Sequence, residues 1–198
     1  QHTEDHVFDL INLYLNALIE IVKMDGQKFP VFVLEKEEPN LLDKVTKDGI
    51  HLIIGISLDR ILQIILRDKV LVNLDDVFGG LPLINDKNDI IDSGICDGHT
   101  NWQMYGSRKP AHEAYKLVDY QEVWYSENKW NFKKKKIKNN QKLSQLMSAR
   151  NTGHIEFDMN NQIKELYAET KKKKEKKSYS KKKKTDVVDE TSLYNIKF

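Results

Sequence analysis

The stretch I-I-D-S-G-I-C-D-G-H-T-N-W-Q-M-Y-G-S-R-K-P, residues 90–110, holds more candidate chemistry than any other part of the chain. Two apolar β-branched residues lead to Asp92 and a Ser-Gly break, and a second run, 102–105, leads to the turn at 106–109. We predict that both runs are strands, so that a carboxylate and two cations meet at one end of a sheet. A carboxylate there suits a divalent metal, and a glycine turn with a hydroxyl, a guanidinium and an ammonium suits phosphate oxygens. Each turn alone is also ordinary loop chemistry, so the assignment depends on the residues upstream.

A second candidate lies upstream, in K-D-G-I-H-L-I-I-G at residues 47–55. The Lys-Asp-Gly turn predicts a strand from Ile50 to Ile54, and its almost continuous apolar character indicates burial on both faces. His51 stands near the start of that strand. A histidine among isoleucines is more often a core residue, but near a sheet end it can donate a hydrogen bond or a positive charge to a phosphate. Both interpretations stay open at this point.

The remaining periodicity predicts an α+β fold. Apolar residues at helical spacing predict an amphipathic helix over about 4–24, and Pro30 opens a short V-F-V-L strand. Ser57 is a candidate cap for a second helix, whose apolar face extends from Leu58 to Val70. Residues 73–88 are expected to be irregular or partly helical, and residues 115–125 are rich in Tyr, Val and Trp and predict a late strand.

Length and composition indicate one domain with an extension. The chain has 198 residues, and it contains no uncharged apolar run of about 18 residues and no signal-peptide pattern. Cys96 is the only cysteine, which excludes an internal disulfide and, without further ligands, makes a zinc site unexpected. We therefore expect a soluble protein of a reducing compartment.

The charges divide the chain into two unlike parts. Residues 1–120 hold 12 Lys and Arg against 20 Asp and Glu, while residues 121–198 hold 20 against 10. The basic part suits a polyanion, and we predict that single-stranded nucleic acid binds at Lys133, Lys134, Lys135 and Lys136, with Trp130, Trp124 and Tyr125 nearby for stacking. The lysine-rich run 171–184 is expected to be a disordered linker, with a nuclear-import signal or a nucleic-acid tether as alternatives.

Taken in order, K-D-G-I-H, I-I-D and N-W-Q-M-Y-G-S-R-K-P stand at successive predicted strand ends. This ordered set resembles the archaeo-eukaryotic primase and primase-polymerase superfamily, and most closely the primase domain of the primase-helicases of large nucleocytoplasmic DNA viruses. The resemblance covers roughly residues 5–125. It implies an α+β catalytic core in which helices flank an RRM-like sheet, antiparallel or mixed. The implied division is a catalytic domain at 1–128, a basic helical extension at 129–170 and the linker at 171–198.

The resemblance also implies roles for individual residues. The family's phosphate-contacting histidine matches His51, and the metal-binding carboxylate after an apolar pair matches Asp92. The serine and lysine that hold the triphosphate match Ser107 and Lys109. Asp92 and His51 are therefore the predicted catalytic residues, with Asp92 as a ligand of Mg²⁺ or Mn²⁺. The predicted phosphate-binding set is His51, Ser107, Arg108, Lys109 and Lys47.

The family's first motif, an acid-x-acid pair on a strand, has no counterpart here. Asp5 and Asp9 stand four residues apart on a predicted helix, which is the wrong geometry for a pair at a strand end. We expect that the excerpt begins after that motif, the alternative being an inactive chain. Asp92 alone cannot hold two ions, so weak nucleotide binding and poor catalysis are expected without further acids.

The predicted function is metal-dependent primer synthesis from nucleoside triphosphates on single-stranded DNA in viral genome replication. A helicase domain is expected further along the parent chain. A non-catalytic module that binds single-stranded nucleic acid and a metal-dependent nuclease are the alternatives. The expected location is intracellular, at a viral replication site in the host cytoplasm, with the nucleus as the alternative.

Overall fold

The computed structural model describes residues 2–97, 105–110, 112–148, 151 and 153–189, the last thirteen as backbone alone. It confirms the predicted α+β class. Four antiparallel strands form the central sheet in the order β4-β1-β6-β7, and helices lie on both of its faces. These strands are β1 (Phe29–Glu35), β4 (Ile50–Ile54), β6 (Lys116–Ser126) and β7 (Lys129–Lys134).

The other elements are short, with the exception of three helices. The helices are α1 (Glu4–Ile21), α2 (Arg60–Val72), α3 (Leu74–Phe78), α4 (Lys87–Ile90), α5 (Gly94–Asp97), α6 (Asn140–Leu146) and α7 (Lys164–Asp189), and a 3₁₀ turn at Asn161–Ile163 precedes α7. The strands β2 (Asn40–Leu41) and β3 (Thr46–Lys47) form a small hairpin, and β5 (Ile56–Ser57) pairs with β8 (Ile155–Glu156). None of the described helices is both long enough and apolar enough to cross a membrane.

Helix α1 forms where the sequence predicts it, because its apolar residues recur at helical spacing and Thr3 caps its first turn. The Thr3 hydroxyl accepts a hydrogen bond from the His6 N–H, and the His6 ring accepts one from the Thr3 N–H. The side chains of Leu15, Leu18 and Ile21 are fully buried. Burial of such residues contributes about 1.5–3 kcal/mol each, which fixes α1 on the sheet.

The two faces of the sheet carry different cores. Val31, Val33 and Val123 lie in the larger cluster with α1, α2 and α3, while Phe32 and Leu34 lie in a second cluster under Leu143 and Met147. Successive side chains of a strand point to opposite faces, which explains this division. His51 pairs with Leu34 across β1 and β4, so it belongs to the second face.

Helix α2 forms as predicted but begins with a different cap. The Asp59 carboxylate accepts a hydrogen bond from the Leu62 N–H at 2.9 Å, while Ser57 lies in β5. Aspartate at this position satisfies a free N–H of the first turn and also interacts favourably with the helix dipole. The prediction of Ser57 as the cap was therefore wrong.

The stretch around Asp92 is not the predicted strand. Residues 87–90 form α4, whose first turn is capped by the Asp86 carboxylate, and Asp92 lies in the bend that follows. Ile90 and Ile91 pack partly buried against the larger core cluster instead of pairing in a sheet. Local capping and burial thus override the strand propensity of two isoleucines. The second predicted run, 102–105, lies outside the described residues except for Tyr105, which is in a turn.

The basic half also differs from expectation. Residues 129–134 form β7, which pairs with β6 from Gln121↔Lys134 to Ser126↔Lys129, so they belong to the sheet and not to a helical extension. The run at 171–184, expected to be disordered, continues α7 as a helix. Lysine, glutamate and alanine favour helices, and residues 154–198 contain neither glycine nor proline. The division into three segments as a whole remains a prediction.

Candidate active site

His51 lies against Tyr115, the residue that precedes β6. The two rings are stacked, with centroids 3.6 Å apart and planes inclined by 15°. The Lys36 ammonium lies 5.6 Å from the centre of the Tyr115 ring. A Cβ added at Gly49 would come within 2.9 Å of the Tyr115 hydroxyl oxygen, so a side chain there would push the tyrosine away. Tyr115 is therefore held between the turn before β4 and the imidazole.

The environment of His51 keeps its imidazole neutral at pH 7. Burial, followed by the charges of Lys109 and Lys36, lowers the pKa of His51 from 6.5 to about 4. Each of these effects disfavours the protonated ring. The effect of Lys109 places its ammonium within electrostatic reach of His51, which the sequence puts 58 positions earlier. In the free protein His51 can therefore donate a hydrogen bond to a phosphate but does not supply a positive charge.

The basic turn forms a cleft at the surface. Its volume is about 460 Å³, and its lining residues are Arg108, Lys109, Pro110, His112 and Glu113. Gly106 has φ +77°, a conformation that glycine adopts without strain, which agrees with the predicted turn. The guanidinium of Arg108, the ammonium of Lys109 and the imidazole of His112 suit the oxygens of a phosphate chain, while Glu113 adds one carboxylate to the lining. Ser107 lies in the same turn, exposed.

Asp92 is exposed, two residues before α5 begins. Its carboxylate accepts a hydrogen bond from the Gly94 N–H at 2.7 Å. Among the residues that the structure describes, no group of three or more His, Cys, Asp or Glu side chains is placed to hold a metal ion. One exposed carboxylate is a poor site for a divalent cation, which takes about six oxygen ligands. The described residues therefore do not make up a metal site by themselves.

Arg67 of α2 holds the segment that leads to Asp92. Its guanidinium is buried, donating from Nε to the Ile91 carbonyl at 2.8 Å and from Nη2 to the Asn88 carbonyl at 3.0 Å. A planar guanidinium can satisfy several carbonyls of one loop at once. The backbone immediately before Asp92 is thus fixed to a helix of the core. Sequence reasoning missed Arg67, although an arginine beside the apolar face of a predicted helix was a usable signal.

Tyr115, His112 and Glu113 were also not assigned to the site from sequence. Their signal was their position in the polar stretch P-A-H-E-A-Y directly after the basic turn. Lys47, in contrast, was predicted. It lies exposed in β3, paired with Asn40 in the hairpin before β4. The structure thus stacks Tyr115 on His51 and places Lys109 within electrostatic reach of His51, while Asp92 and Lys47 lie in other segments.

The predicted nucleic-acid contacts are arranged unevenly. Trp130 donates from Nε1 to the Asn16 side chain at 3.1 Å and packs edge-on against Phe29, so its ring is part of the contact between β7 and α1. Lys134 and Lys135 form ion pairs with Asp119 at 3.3 Å and Glu122 at 3.2 Å. Lys133 and Lys136 are exposed.

Trp124, the other tryptophan of the prediction, is placed for contact with a base. Trp124 alternates with Val123, which faces the larger core, so it lies on the opposite face of the sheet, where the Lys28 ammonium is 4.8 Å from its ring centre. An aromatic ring beside a cation is the arrangement that stacks bases of single strands. Trp124 is thus better placed for stacking than Trp130.

Comparison with known proteins identifies the family of this chain. Residues 1–120 match the family described as "C962R protein N-terminal AEP domain", where AEP stands for archaeo-eukaryotic primase. The chain is also similar to a protein of Acanthamoeba polyphaga mimivirus described as "Putative helicase L207/L206". The two are 29% identical over 111 residues, which are 54% of this chain and 12% of that protein. The chain therefore spans a small part of the length of this relative.

Proposed function

Because the chain belongs to the archaeo-eukaryotic primase family, we propose that it is the primase-polymerase domain of a viral replication protein. Its reaction is nucleotidyl transfer from nucleoside triphosphates, making primers on single-stranded DNA. The observation that carries the proposal is the family match over residues 1–120, which includes His51, Asp92 and the basic turn in the expected order.

The placement of His51 and Lys109 supports a role in binding the triphosphate. A neutral imidazole can donate one N–H to a phosphate oxygen, and the cations of the cleft can balance the charge of the phosphate chain. Arg108 can bind two phosphate oxygens at once through its planar fork, while Lys109 acts as a point charge. These side chains bind and orient the triphosphate, and Tyr115 keeps the imidazole in place.

Domains of this family typically depend on divalent metal ions. We propose that this chain also uses Mg²⁺ or Mn²⁺. Asp92 would be one ligand, and further carboxylates would come from residues other than those that the structure describes. In nucleotidyl transfer such ions activate the attacking hydroxyl and neutralise the leaving pyrophosphate. The location proposed for this activity is a viral replication site in the host cytoplasm. A helicase domain in the same parent chain is proposed from the description of the mimivirus relative.

Primer synthesis on single-stranded DNA tests the proposal. The assay compares the chain with the parent protein, including any residues that precede Gln1, with and without Mg²⁺ or Mn²⁺. We expect metal-dependent incorporation that Asp92→Asn abolishes and that Lys109→Gln lowers by about 100-fold. Asp89→Asn, an exposed carboxylate three positions away, is the matched control and should keep full activity. Undiminished synthesis by Asp92→Asn would disprove the site.

The absence of a three-acid cluster among the described residues favours a second candidate, a module that binds single strands without catalysis. Such a module would bind DNA equally well in the presence of a chelator and would incorporate no nucleotide under any condition. Strand shortening without incorporation would instead indicate a nuclease. The same primer assay, resolved by product length, separates the three activities.

A further inference from the structure

The lysine-rich half of α7 is a charged helix that the proposed active site does not use. Residues 171–184 contain ten lysines and one glutamate, and α7 extends through them to Asp189. The helix rises about 1.5 Å per residue, so this run carries about one net positive charge per 2 Å. Duplex DNA carries one negative charge per about 1.7 Å of its axis. The two linear charge densities are nearly matched.

The first half of α7 is attached to the core. Ile163, at its entry, is buried in the larger core cluster, and Tyr167 packs against the same cluster. The Tyr167 hydroxyl donates to the Asp59 carboxylate, the cap of α2, at 2.8 Å. The burial of Ile163, the packing of the half-buried Tyr167 and its hydrogen bond to the cap of α2 fix the direction in which the lysine-rich half leaves the core.

A further contact ties the helix to the Asp92 segment. The Lys174 ammonium forms a charge-assisted hydrogen bond with the carboxylate of Asp97, the last residue of α5. Helix α5 begins two residues after Asp92 and packs on α2. The lysine-rich run therefore starts beside the segment that carries the predicted metal ligand.

The charge pattern of this helix opposes its own stability. Lysines stand four residues apart at 172 and 176, 173 and 177, and 177 and 181, and like charges at this spacing destabilise a helix. Between residues 171 and 184, Glu175 is the only acid in the sequence. A bound polyanion would remove this repulsion. The helix should therefore be stable in the free protein from Lys164 to Lys174, where it contacts the rest of the domain. Beyond Lys174 it should gain stability when a polyanion binds.

From these observations we propose that residues 171–184 form a nucleic-acid-binding arm, which binds the phosphate backbone of the nucleic acid next to the Asp92 segment. The choice of nucleic acid among polyanions rests on the proposed function. A membrane surface is disfavoured because Tyr179 is the only hydrophobic residue of the run, and helices that lie on membranes need an apolar face. An acidic protein surface is disfavoured because protein interfaces use buried aromatic or aliphatic anchors.

Salt-dependent binding tests the arm. Fluorescence anisotropy with labelled DNA of about 20 nucleotides, single-stranded or duplex, is measured from about 50 to 200 mM salt. Chelator is present and nucleotide is omitted, so that catalysis plays no part. The arm variant replaces four exposed lysines by glutamine, which keeps helix propensity: Lys171, Lys172, Lys173 and Lys176. The control variant makes the same charge change at four other exposed lysines: Lys23, Lys44, Lys142 and Lys164.

For single strands, we expect the arm variant to lower the slope of log affinity against log salt by about 3, because each phosphate contact contributes about 0.7. At about 100 mM salt, the affinity of the arm variant for single-stranded DNA should fall by about tenfold or more. The control variant should change the slope by less than about 1. Equal effects of the two variants would overturn the proposal, as would tighter binding to phosphatidylserine vesicles or polyglutamate than to DNA.

Hydrogen exchange of the full chain is the second measurement. Amides at 164–174 should be protected without DNA, and amides at 175–189 should slow on adding it, whereas a plain linker would show neither effect. The two proposals fail separately. DNA binding through the arm without primer synthesis would reject the catalytic function alone, and metal-dependent synthesis with an unaltered salt slope in the arm variant would reject the arm alone.

Discussion

At the scale of single residues, the imidazole of His51 shows how neighbours set a charge. Its low pKa follows from burial, in which Tyr115 takes part by covering one face of the ring, and from two nearby ammonium groups. The same arrangement keeps the imidazole neutral at pH 7, so that one ring nitrogen carries a hydrogen and the other can accept a hydrogen bond. Tyr115, Lys36 and Lys109 all lie at least 15 positions away from His51 in the sequence.

We predict that NMR titration of the His51 ring gives a pKa of about 4. Tyr115→Ala admits water to the ring, so the pKa should rise towards 6.5. Tyr120→Ala is the matched control, because Tyr120 stacks on Phe32 at the same face of the sheet. A pKa near 6.5 in the unmodified protein would contradict the neutral imidazole.

The direction of this shift fixes its effect on stability. Between pH 4 and 6.5 the unfolded chain binds a proton at His51 that the folded chain does not, so stability falls as pH decreases through this range. Partial exposure of the ring limits the loss to about 1–2 kcal/mol. Urea unfolding at several pH values should show a weaker decline in His51→Gln.

Arg67 is the second residue whose role depends on distant partners. We predict that Arg67→Met lowers the free energy of unfolding by about 2–4 kcal/mol, because the carbonyls of Asn88 and Ile91 lose their donors. Hydrogen exchange at residues 88–97 should also become faster. Arg60→Met, at an exposed position of the same helix, should change stability by less than about 0.5 kcal/mol. If the two changes lowered the free energy of unfolding equally in urea, the role of Arg67 in holding residues 88–91 would be excluded.

At the scale of elements, β7 is joined to α1 by aromatic packing. Phe132 contacts Phe8 with ring centroids 5.4 Å apart, and Trp130 is bonded to Asn16 of the same helix. A strand at the edge of a sheet needs such cover, since it has a partner strand on one side only. The aromatic residues of β7 thus serve the fold.

We predict different consequences for the two tryptophans of the β6–β7 hairpin. Trp130→Ala should cost about 2–3 kcal/mol of stability, somewhat below the value for a fully buried tryptophan. Trp124→Ala should weaken binding of single-stranded DNA with a smaller loss of stability, because its ring lies beside Lys28 on the other face of the sheet. Thermal unfolding measures the stability of each variant, and fluorescence anisotropy measures its binding of single-stranded DNA. Weaker binding by a fully stable Trp130→Ala protein would restore Trp130 as the stacking residue.

At the scale of the whole molecule, the basic part, residues 121–198, packs on the acidic part, residues 1–120, and shares its sheet. Strand β7 pairs with β6, and Leu143 and Met147 cover Phe32 and Leu34 of the sheet. The two parts carry opposite net charges, and ion pairs such as that of Lys134 with Asp119 join them directly. A boundary at residue 128 would cut through this packing.

We predict that a chain ending at residue 128 does not unfold cooperatively, because β6 would lose β7, one of its two partner strands, and Phe32 would lose the cover of Leu143 and Met147. A chain ending at residue 170 should keep the melting transition of the full protein and lose the lysine-rich arm. Circular dichroism and limited proteolysis compare the three lengths. A cooperative transition at the same temperature for residues 1–128 would support the predicted domain boundary at residue 128.

The sequence by itself determined α1, β1, β4, α2 and β6, and the order of the candidate motifs. These features depend on local periodicity, capping and turn residues, which neighbouring positions decide. The tertiary structure alone decided that Arg67 holds the Ile91 carbonyl, that Tyr115 covers His51 and that Trp130 faces α1. Each of these contacts joins residues far apart in the chain, 24 positions in the case of Arg67 and Ile91. Such contacts arise from the packing of whole elements, and no local pattern of residues encodes them.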